Sequence, residues 1–259
     1  MKIPIFQVDA FTSNVFSGNP AAVCPLEYWL EDKILQSIAS ENNLSETAFF
    51  VDHGGYFQLR WFTPQTEIDL CGHATLATAF ILMNELNHSM KEVTFGTHSG
   101  ELVVRKNKDL FTMIFPSREA KSCNVPDELI KALGIKPKEV LAARDYLVIY
   151  ENENQVRSIK PYMAKLKELD RLGVIVTAPG NKVDFVSRFF APAVGIPEDP
   201  VTGSAHCTLT PYWAKKLKKS KLHAHQVSER GGELFLENDN KKVSISGRAA
   251  LYMEGTINI

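Results

Sequence analysis

The sequence predicts an α+β protein built from two related halves. Short runs in which apolar and polar residues alternate, a pattern typical of half-buried strands, recur along the whole chain. Strands and helices do not alternate regularly, which argues against a parallel doubly wound sheet. A short echo relates the halves, because the segment His73–Leu76 (HATL) recurs as His206–Leu209 (HCTL), and each copy follows a glycine near the start of an apolar helix.

The alternating runs and the apolar stripes place the main elements. Strands are expected at 57–62, 101–105, 110–115, 173–177, 186–190 and 242–246. Helices are expected within 26–43 and at 73–86, 126–133 and 205–217. The segment 73–86 is apolar on all sides, so we expect it in the middle of the fold. Pro211 must lie in the first turns of its helix or kink it.

The polar stretch Pro116–Ser122 is the predicted joint between the halves. It gives an N-terminal half-domain at 1–116 and a C-terminal half-domain at 117–248. The last strand, 249–259, is a candidate to return to the N-terminal half.

Composition excludes several classes of protein. The chain has 259 residues, of which 29 are basic and 30 acidic, with a formal net charge of −1 and 44% hydrophobic residues. This balance is typical of a globular protein and argues against a nucleic-acid partner, which needs a basic excess. No apolar run approaches the roughly 18 residues of a membrane span. The four cysteines form no CxxC pair, and the N-terminus does not resemble a secretion signal, so we expect a cytoplasmic protein with reduced thiols.

Two helix starts led by glycine are the main candidates for ligand binding. One is Asp69–Thr75, with Gly72, and the other is Glu198–Ala205, with Gly203 and Ser204. The first backbone N–H groups of a helix have no internal partner and attract anions. Each start alone is more often a plain helix cap. Two starts facing one ligand would hold a carboxylate or stabilise a developing anion.

Two carboxylates are the candidates for proton transfer. Glu46 lies at the junction between the first helix and an apolar strand, where partial burial suits a carboxyl to that role. Asp199 precedes the second helix start and either caps that helix or faces the ligand. A lone glutamate at a helix end is usually a surface residue, so the assignment of Glu46 depends on the two halves facing each other.

Other titratable residues give weaker indications. His73 is placed to bind a carboxylate or relay a proton, and Cys71 is an alternative base because a thiol near a helix N-terminus loses its proton more easily. Cys207 falls inside the second helix and is expected to pack. His223 and His225 alternate on a predicted strand, but no third metal ligand is evident, so a surface pair is favoured. HExxH, Walker and GxGxxG motifs are missing, so neither metal nor cofactor is predicted.

Taken together, these segments resemble a known family. The chain resembles the PhzF-like, or phenazine biosynthesis-like, family of cofactor-independent isomerases, which is similar in fold to diaminopimelate epimerase. The resemblance covers nearly the whole chain, and its segments in this order are highly specific. The matching segments are Gln7–Thr12, Phe16–Val23, Leu44–Phe49, Gly72–Thr75 and Glu198–Ala205.

The resemblance implies a fold and an active site. The fold is a pair of similar α+β domains, each a curled, mostly antiparallel sheet around a central helix, with the active site in the cleft between them. The residue matching Glu46 moves a proton on an allylic amino acid, dihydro-hydroxyanthranilate, and a homodimer is implied. The residues that assist or bind substrate match His73, Asp199, Ser204, Gly72, Gly203 and Asn19. One departure is Arg230, which stands where many members have glutamine, so the phenazine substrate is not carried over.

Three functional hypotheses follow. The first is an isomerase that moves a proton on a small carboxylate-bearing metabolite, with Glu46 as general acid and base. The second is an amino-acid racemase or epimerase that uses Cys71, although Asp199–Thr202 offers no partner cysteine. The third is a non-catalytic module that binds a metabolite or a protein.

Overall fold

The structure is a computed structural model that describes residues 1–259. The chain forms two compact units. The first unit comprises Met1–Ile114 and Ser246–Ile259, and the second comprises Phe115–Ile245.

Eighteen strands and six α-helices make up the two units. The strands are β1 (Lys2–Ala10), β2 (Asn19–Leu26), β3 (Glu46–Asp52), β4 (Phe57–Phe62), β5 (Glu67–Ile68), β6 (Glu92–Thr97), β7 (Gly100–Asn107), β8 (Leu110–Pro116), β9 (Lys121–Ser122), β10 (Glu139–Ala142), β11 (Tyr146–Ile149), β12 (Val174–Pro179), β13 (Phe185–Ala191), β14 (Ile196–Asp199), β15 (Lys221–Gln226), β16 (Gly232–Asp239), β17 (Lys242–Gly247) and β18 (Ala249–Asn258). The helices are α1 (Asp32–Asn42), α2 (Gly72–Phe80), α3 (Asp127–Leu133), α4 (Glu153–Ser158), α5 (Met163–Leu166) and α6 (Gly203–Leu217).

In the first unit, the strands pair in the order β18–β1–β2–β3–β4–β6–β7–β8. The β2–β3 and β4–β6 pairs are parallel, and the other pairs in this order are antiparallel. The helix α1 connects β2 to β3, and the short strand β5 pairs with β4 immediately before α2. The helix α2 packs against β1, β2 and β3.

The second unit repeats this topology. Its strands pair in the order β10–β11–β12–β13–β15–β16, with β11–β12 and β13–β15 parallel and the other pairs antiparallel. The short helices α4 and α5 stand where α1 does, and β14 pairs with β13 immediately before α6. The predicted α+β class with two similar halves is therefore confirmed.

The two glycine-led helices are buried. Every side chain of α2 from His73 to Phe80 is buried, which confirms that this apolar helix lies in the middle of its unit. The predicted helix 73–86 continues beyond α2 as a π-helical segment, Ile81–Leu86. In α6, Pro211 lies just past the midpoint, which excludes the first of the two alternatives given for it, a place in the first turns. The proline is tolerated within a helix whose packing outweighs one lost backbone hydrogen bond.

None of the helices combines the length and the apolar composition needed to cross a bilayer.

Candidate functional site

Glu46 is the first residue of β3, immediately beyond the turn that follows α1. The helix ends at Asn42, and Asn43 then turns the chain with a left-handed φ of 49°. The strand pairs in parallel with β2, where Ala21 is opposite Glu46. Glu46 is only 5% exposed. Every residue of β3 before Asp52 is buried, so the carboxyl group of Glu46 lies in the interior of the first unit.

His73 is the partner of this carboxylate. It is the second residue of α2, and its Nε2 atom lies 2.9 Å from Oε2 of Glu46. This contact is short but does not have the alignment of a hydrogen bond, so Oε2 has no hydrogen-bond donor of good geometry. Buried polar atoms are normally satisfied. A carboxylate oxygen in this state can accept a hydrogen bond or a proton from a ligand.

Asn19 and Ser45 hold the far side of the histidine ring. The Asn19 Nδ2 atom lies 3.2 Å from Nδ1 of His73, and the Ser45 hydroxyl donates to Oδ1 of Asn19 over 3.4 Å. Because the amide oxygen accepts from Ser45, the amide nitrogen faces the ring, and it can donate to Nδ1 only while His73 is neutral. The proton of the neutral ring then resides on Nε2, towards Glu46.

The backbone conformation of Gly18 places Asn19 at this position. It has a left-handed φ of 69°, and a Cβ atom built on it would lie 2.3 Å from the carbonyl oxygen of Ala10. Only glycine fits this close approach of two backbone segments without strain. The glycine before Asn19 in the Phe16–Val23 segment is therefore required by the path of the chain.

Charge at this cluster favours a protonated histidine. Burial by itself lowers the pKa of His73, but the interactions of its ring with Cys71 and Glu46 together raise that pKa well above its ordinary value. The Sγ atom of Cys71 lies 3.5 Å from Nδ1 of the same ring. Burial raises the pKa of the Cys71 thiol, and the Glu46 charge adds to the effect. The expectation that the helix N-terminus would favour the thiolate is therefore wrong, because loss of solvation outweighs the helix dipole.

The cluster also has the donors of a metal site. One ligand atom each from Glu46, Cys71 and His73 lies within 4.8 Å of the others. No side chain caps α2 at Cys71, so the first N–H groups of the helix, from Gly72 onward, are directed at the same region. The arrangement thus joins a carboxylate, an imidazole and an anion-attracting helix end.

The start of α6 in the second unit is organised differently. The Thr202 hydroxyl donates to Oδ2 of Asp199 over 2.6 Å. Gln226, on β15, accepts from the Thr202 backbone N–H over 2.9 Å and donates to the Asp199 carbonyl oxygen over 2.7 Å. Gln226 is 1% exposed. Asp199 is therefore held by its own turn and by a glutamine from a neighbouring strand, and it does not cap α6.

Ser204 has a cationic neighbour. The guanidinium of Arg144 donates to the Ser204 hydroxyl over 3.0 Å and also forms an ion pair with the buried Asp145. Gly203 is the first residue of α6, which has no side-chain cap. Backbone N–H groups, a hydroxyl and a guanidinium thus meet at this helix start, a combination suited to an anion.

The sequence echo does not extend to the chemistry of the two histidines. His206 is fully buried, and its Nδ1 donates to the Thr202 carbonyl oxygen over 2.8 Å, while Nε2 has no hydrogen-bond partner. Burial lowers the pKa of His206 to about 4, although the Thr202 carbonyl opposes the shift. His206 is a neutral core residue, and Cys207 beside it is buried, as expected of a packing residue.

The structure places the predicted residues in two groups. Glu46, His73, Asn19 and Gly72, with Cys71, lie together in the first unit, and Asp199, Gly203 and Ser204 lie together in the second. Sequence reasoning missed Gln226 and Arg144. Gln226 follows the buried Leu222 and Ala224 at inward positions of β15, so a polar residue in an apolar alternation is the signal that could have found it.

The chain is similar to known proteins in sequence and in fold. The sequence profile of the family described as phenazine biosynthesis-like protein matches residues 8–255. An uncharacterized isomerase of Pseudomonas aeruginosa is 53% identical, with 100% of each chain covered. A crystal structure of a PhzF-family phenazine biosynthesis protein from Enterococcus faecalis is 48% identical, with a TM-score of 0.98 and 100% of both chains covered. The structure of a hydroxyproline epimerase from Agrobacterium vitis is similar in fold, with a TM-score of 0.64 at 11% identity, covering 99% of this chain and 91% of that one.

Proposed function

The chain belongs to the phenazine biosynthesis-like family of isomerases, and we propose that it moves a proton on a small carboxylate-bearing metabolite, with Glu46 as general acid and base and without a cofactor. One observation carries the proposal. The buried Glu46 carboxylate has an oxygen without a well-aligned donor, and that oxygen lies 2.9 Å from a histidine at an uncapped helix start.

The chemistry needs a base and a place for negative charge. Glu46 removes a proton from a carbon activated by the substrate carboxylate or by a double bond conjugated with it. The electron pair of the broken C–H bond moves into that conjugated system, and the N–H groups at the start of α2 stabilise the resulting charge. Glu46 then returns the proton to a different carbon. The double bond shifts, and no atom is gained or lost.

His73 positions the carboxylate. Its Nε2 atom faces Glu46, and Asn19 contacts the other side of the ring. Asn19 therefore fixes the orientation of His73, and His73 in turn fixes the carboxylate of Glu46. The raised pKa of His73 keeps positive charge beside Glu46.

Asp199, Gly203 and Ser204 are proposed to take part in substrate binding. Arg144 joins this set because it donates to Ser204 and adds positive charge at an anion-attracting helix start. These roles predict that Arg144→Gln raises KM for a carboxylate substrate more than it lowers kcat.

Solvent exchange tests the proposed reaction without requiring a known product. Unsaturated and α-substituted carboxylic acids are incubated with the protein in D₂O, each beside its primary amide, and followed by ¹H NMR. We expect deuterium to enter a C–H position of an acid substrate and not of its amide. If the protein binds an acid tightly but catalyses no exchange, the proposed reaction is wrong.

Cys71 is a second candidate base, favoured by the 3.5 Å separation of its sulfur from Nδ1 of His73. In that case the protein would be a thiol-dependent racemase or epimerase. The raised pKa of Cys71 opposes this, and α6 is preceded by no cysteine from Asp199 to Thr202. Under our proposal, Cys71→Ala retains turnover within about tenfold of the wild type, whereas a thiol base predicts a loss of about 10²-fold or more.

A further inference from the structure

A second cluster of titratable side chains lies on β15 and β16 of the second unit, apart from the residues described above. The strands are antiparallel, and His225 stands directly opposite Glu233, while His223 stands opposite Phe235. On β15 the residues alternate, so that Leu222 and Ala224 are buried while both histidines face outward. The pairing register therefore brings two imidazoles and one carboxylate to the same face of the sheet.

The distances between the donor atoms are close to those around a bound metal ion. The Oε1 atom of Glu233 lies 2.8 Å from Nε2 of His223 and 3.8 Å from Nε2 of His225. One ligand atom from each of the three residues lies within 4.8 Å of the others. Ligand atoms in a tetrahedral zinc site are about 3.3 Å apart. Small side-chain rotations would complete this geometry.

The first histidine is already fixed in place. The His223 ring stacks on Phe235 with 4.8 Å between centroids and an interplanar angle of 2°. Its backbone N–H donates to Asp184 over 2.9 Å. A ligand that is held before the ion arrives loses less conformational freedom on binding, which favours affinity.

We propose that His223, His225 and Glu233 form a binding site for a divalent transition-metal ion, with Zn²⁺ as its representative. Imidazole and carboxylate donors suit zinc and its neighbours in the first transition row, whereas Mg²⁺ and Ca²⁺ prefer oxygen alone. All three side chains are about one-third exposed, so the ion has access from solvent. Three protein ligands leave a position for water.

The proposal has a structural consequence. Because two ligands lie on β15 and one on β16, the ion cross-links the strands and stabilises the folded form by mass action. The ligands share no residue with the Glu46 cluster, so the proposal does not depend on the isomerase mechanism. Glu46, Cys71 and His73 also offer three donors, and the experiment must separate the two clusters.

Zinc titration by calorimetry provides that separation. The full chain is stripped with chelator and titrated with ZnCl₂ as the wild type, as His225→Gln and as Cys71→Ala. We expect His225→Gln to weaken one binding event at least tenfold, and Cys71→Ala to leave that event unchanged. His98→Gln is the matched control, because His98 lies 3.7 Å from Glu67 but that contact includes only one imidazole. Its titration should match that of the wild type.

Histidine ring NMR on the wild type gives a second measurement that needs no variant. On addition of Zn²⁺, the ¹⁵Nε2 resonances of His223 and His225 should shift together with a single stoichiometric endpoint, and MgCl₂ should move neither. The proposal is overturned if these resonances do not respond to zinc. It is equally overturned if zinc binds His225→Gln as it binds the wild type, or if the binding disappears only in Cys71→Ala.

Discussion

The starts of α2 and α6 share a sequence echo and a topological position, but their histidines have opposite electrostatic environments. The pKa of His73 is raised well above its ordinary value, because the effects of Glu46 and Cys71 outweigh the burial that lowers it. The pKa of His206 is lowered to about 4 by burial in the absence of a carboxylate. The same residue type in the same short motif therefore has its pKa raised in one unit and lowered in the other.

The difference originates in the position of each histidine along its helix. His73 directly follows Gly72 and is the second residue of α2, whereas His206 lies three residues after Gly203 and is the fourth residue of α6. Each residue turns an α-helix by about 100°. The two rings therefore project from different sides of their helices. A short motif that is repeated within one chain does not form an equivalent site when the two helices begin at different positions relative to that motif.

The largest expected effect is a difference in activity between variants of the two histidines. His73→Asn removes the Nε2 atom that faces Glu46, so we expect turnover to fall by about 10²-fold as the carboxylate loses its position. His206→Asn keeps a donor for the Thr202 carbonyl and removes nothing from Glu46. Turnover at pH 7 should then change by less than about twofold. Equal losses in the two variants would show that the histidines act alike.

An intermediate effect is a loss of stability when the hydrogen bonds of Gln226 at the start of α6 are removed. Gln226→Met replaces a buried amide with an apolar side chain of similar size and leaves the Thr202 N–H and the Asp199 carbonyl without this partner. Each buried group that loses its hydrogen bond costs about 1–3 kcal/mol, so we expect the loss for both groups to lower the free energy of unfolding by about 2–6 kcal/mol. Chemical denaturation monitored by tryptophan fluorescence measures it. Gln36→Met, a change to a partly buried glutamine on α1, is the control.

The smallest effect is a dependence of stability on pH. Between pH 6.5 and pH 4 the unfolded chain binds a proton at His206 that the folded chain does not bind, so acid favours unfolding. At pH 5 this amounts to about 2 kcal/mol relative to pH 7. His206→Asn should therefore lose less stability than the wild type over this range. A wild type and a variant with the same pH dependence would contradict the lowered pKa.

The same reasoning gives the opposite sign for His73. Its folded pKa is raised, so its stabilising contribution is complete below pH 6.5 and is lost as the pH rises through the raised value. Measurements of His73→Asn above neutral pH thus complement those of His206→Asn below it.

Local patterns in the sequence were sufficient to predict much of the fold and part of the candidate site. The apolar alternation and the glycine-led starts predicted the α+β class, the buried α2 and the placement of Glu46 at the head of a strand. These features depend on residues close together in the chain. The position of Cys71 at a helix start predicted a lowered thiol pKa, whereas burial raises that pKa. The helix position is visible in a sequence, but the burial of the sulfur is not.

Features that depend on strand pairing could not be predicted. Gln226 reaches Asp199 and Thr202 because β15 lies beside β13, and Glu233 joins His223 and His225 because of one antiparallel register. A shift of one residue in that register would move Glu233 to the other face of the sheet. The sequence shows the two histidines, but only the paired strands supply the third donor.

The most direct test of the central claim compares Glu46→Gln with Glu41→Gln, which alters an exposed carboxylate on α1. Both variants are incubated in D₂O with the acid that the wild type exchanges, and the rate of deuterium entry is measured. We expect a loss of about 10²–10⁴-fold for Glu46→Gln and none for Glu41→Gln. Exchange by a folded Glu46→Gln protein at the wild-type rate would contradict the central claim.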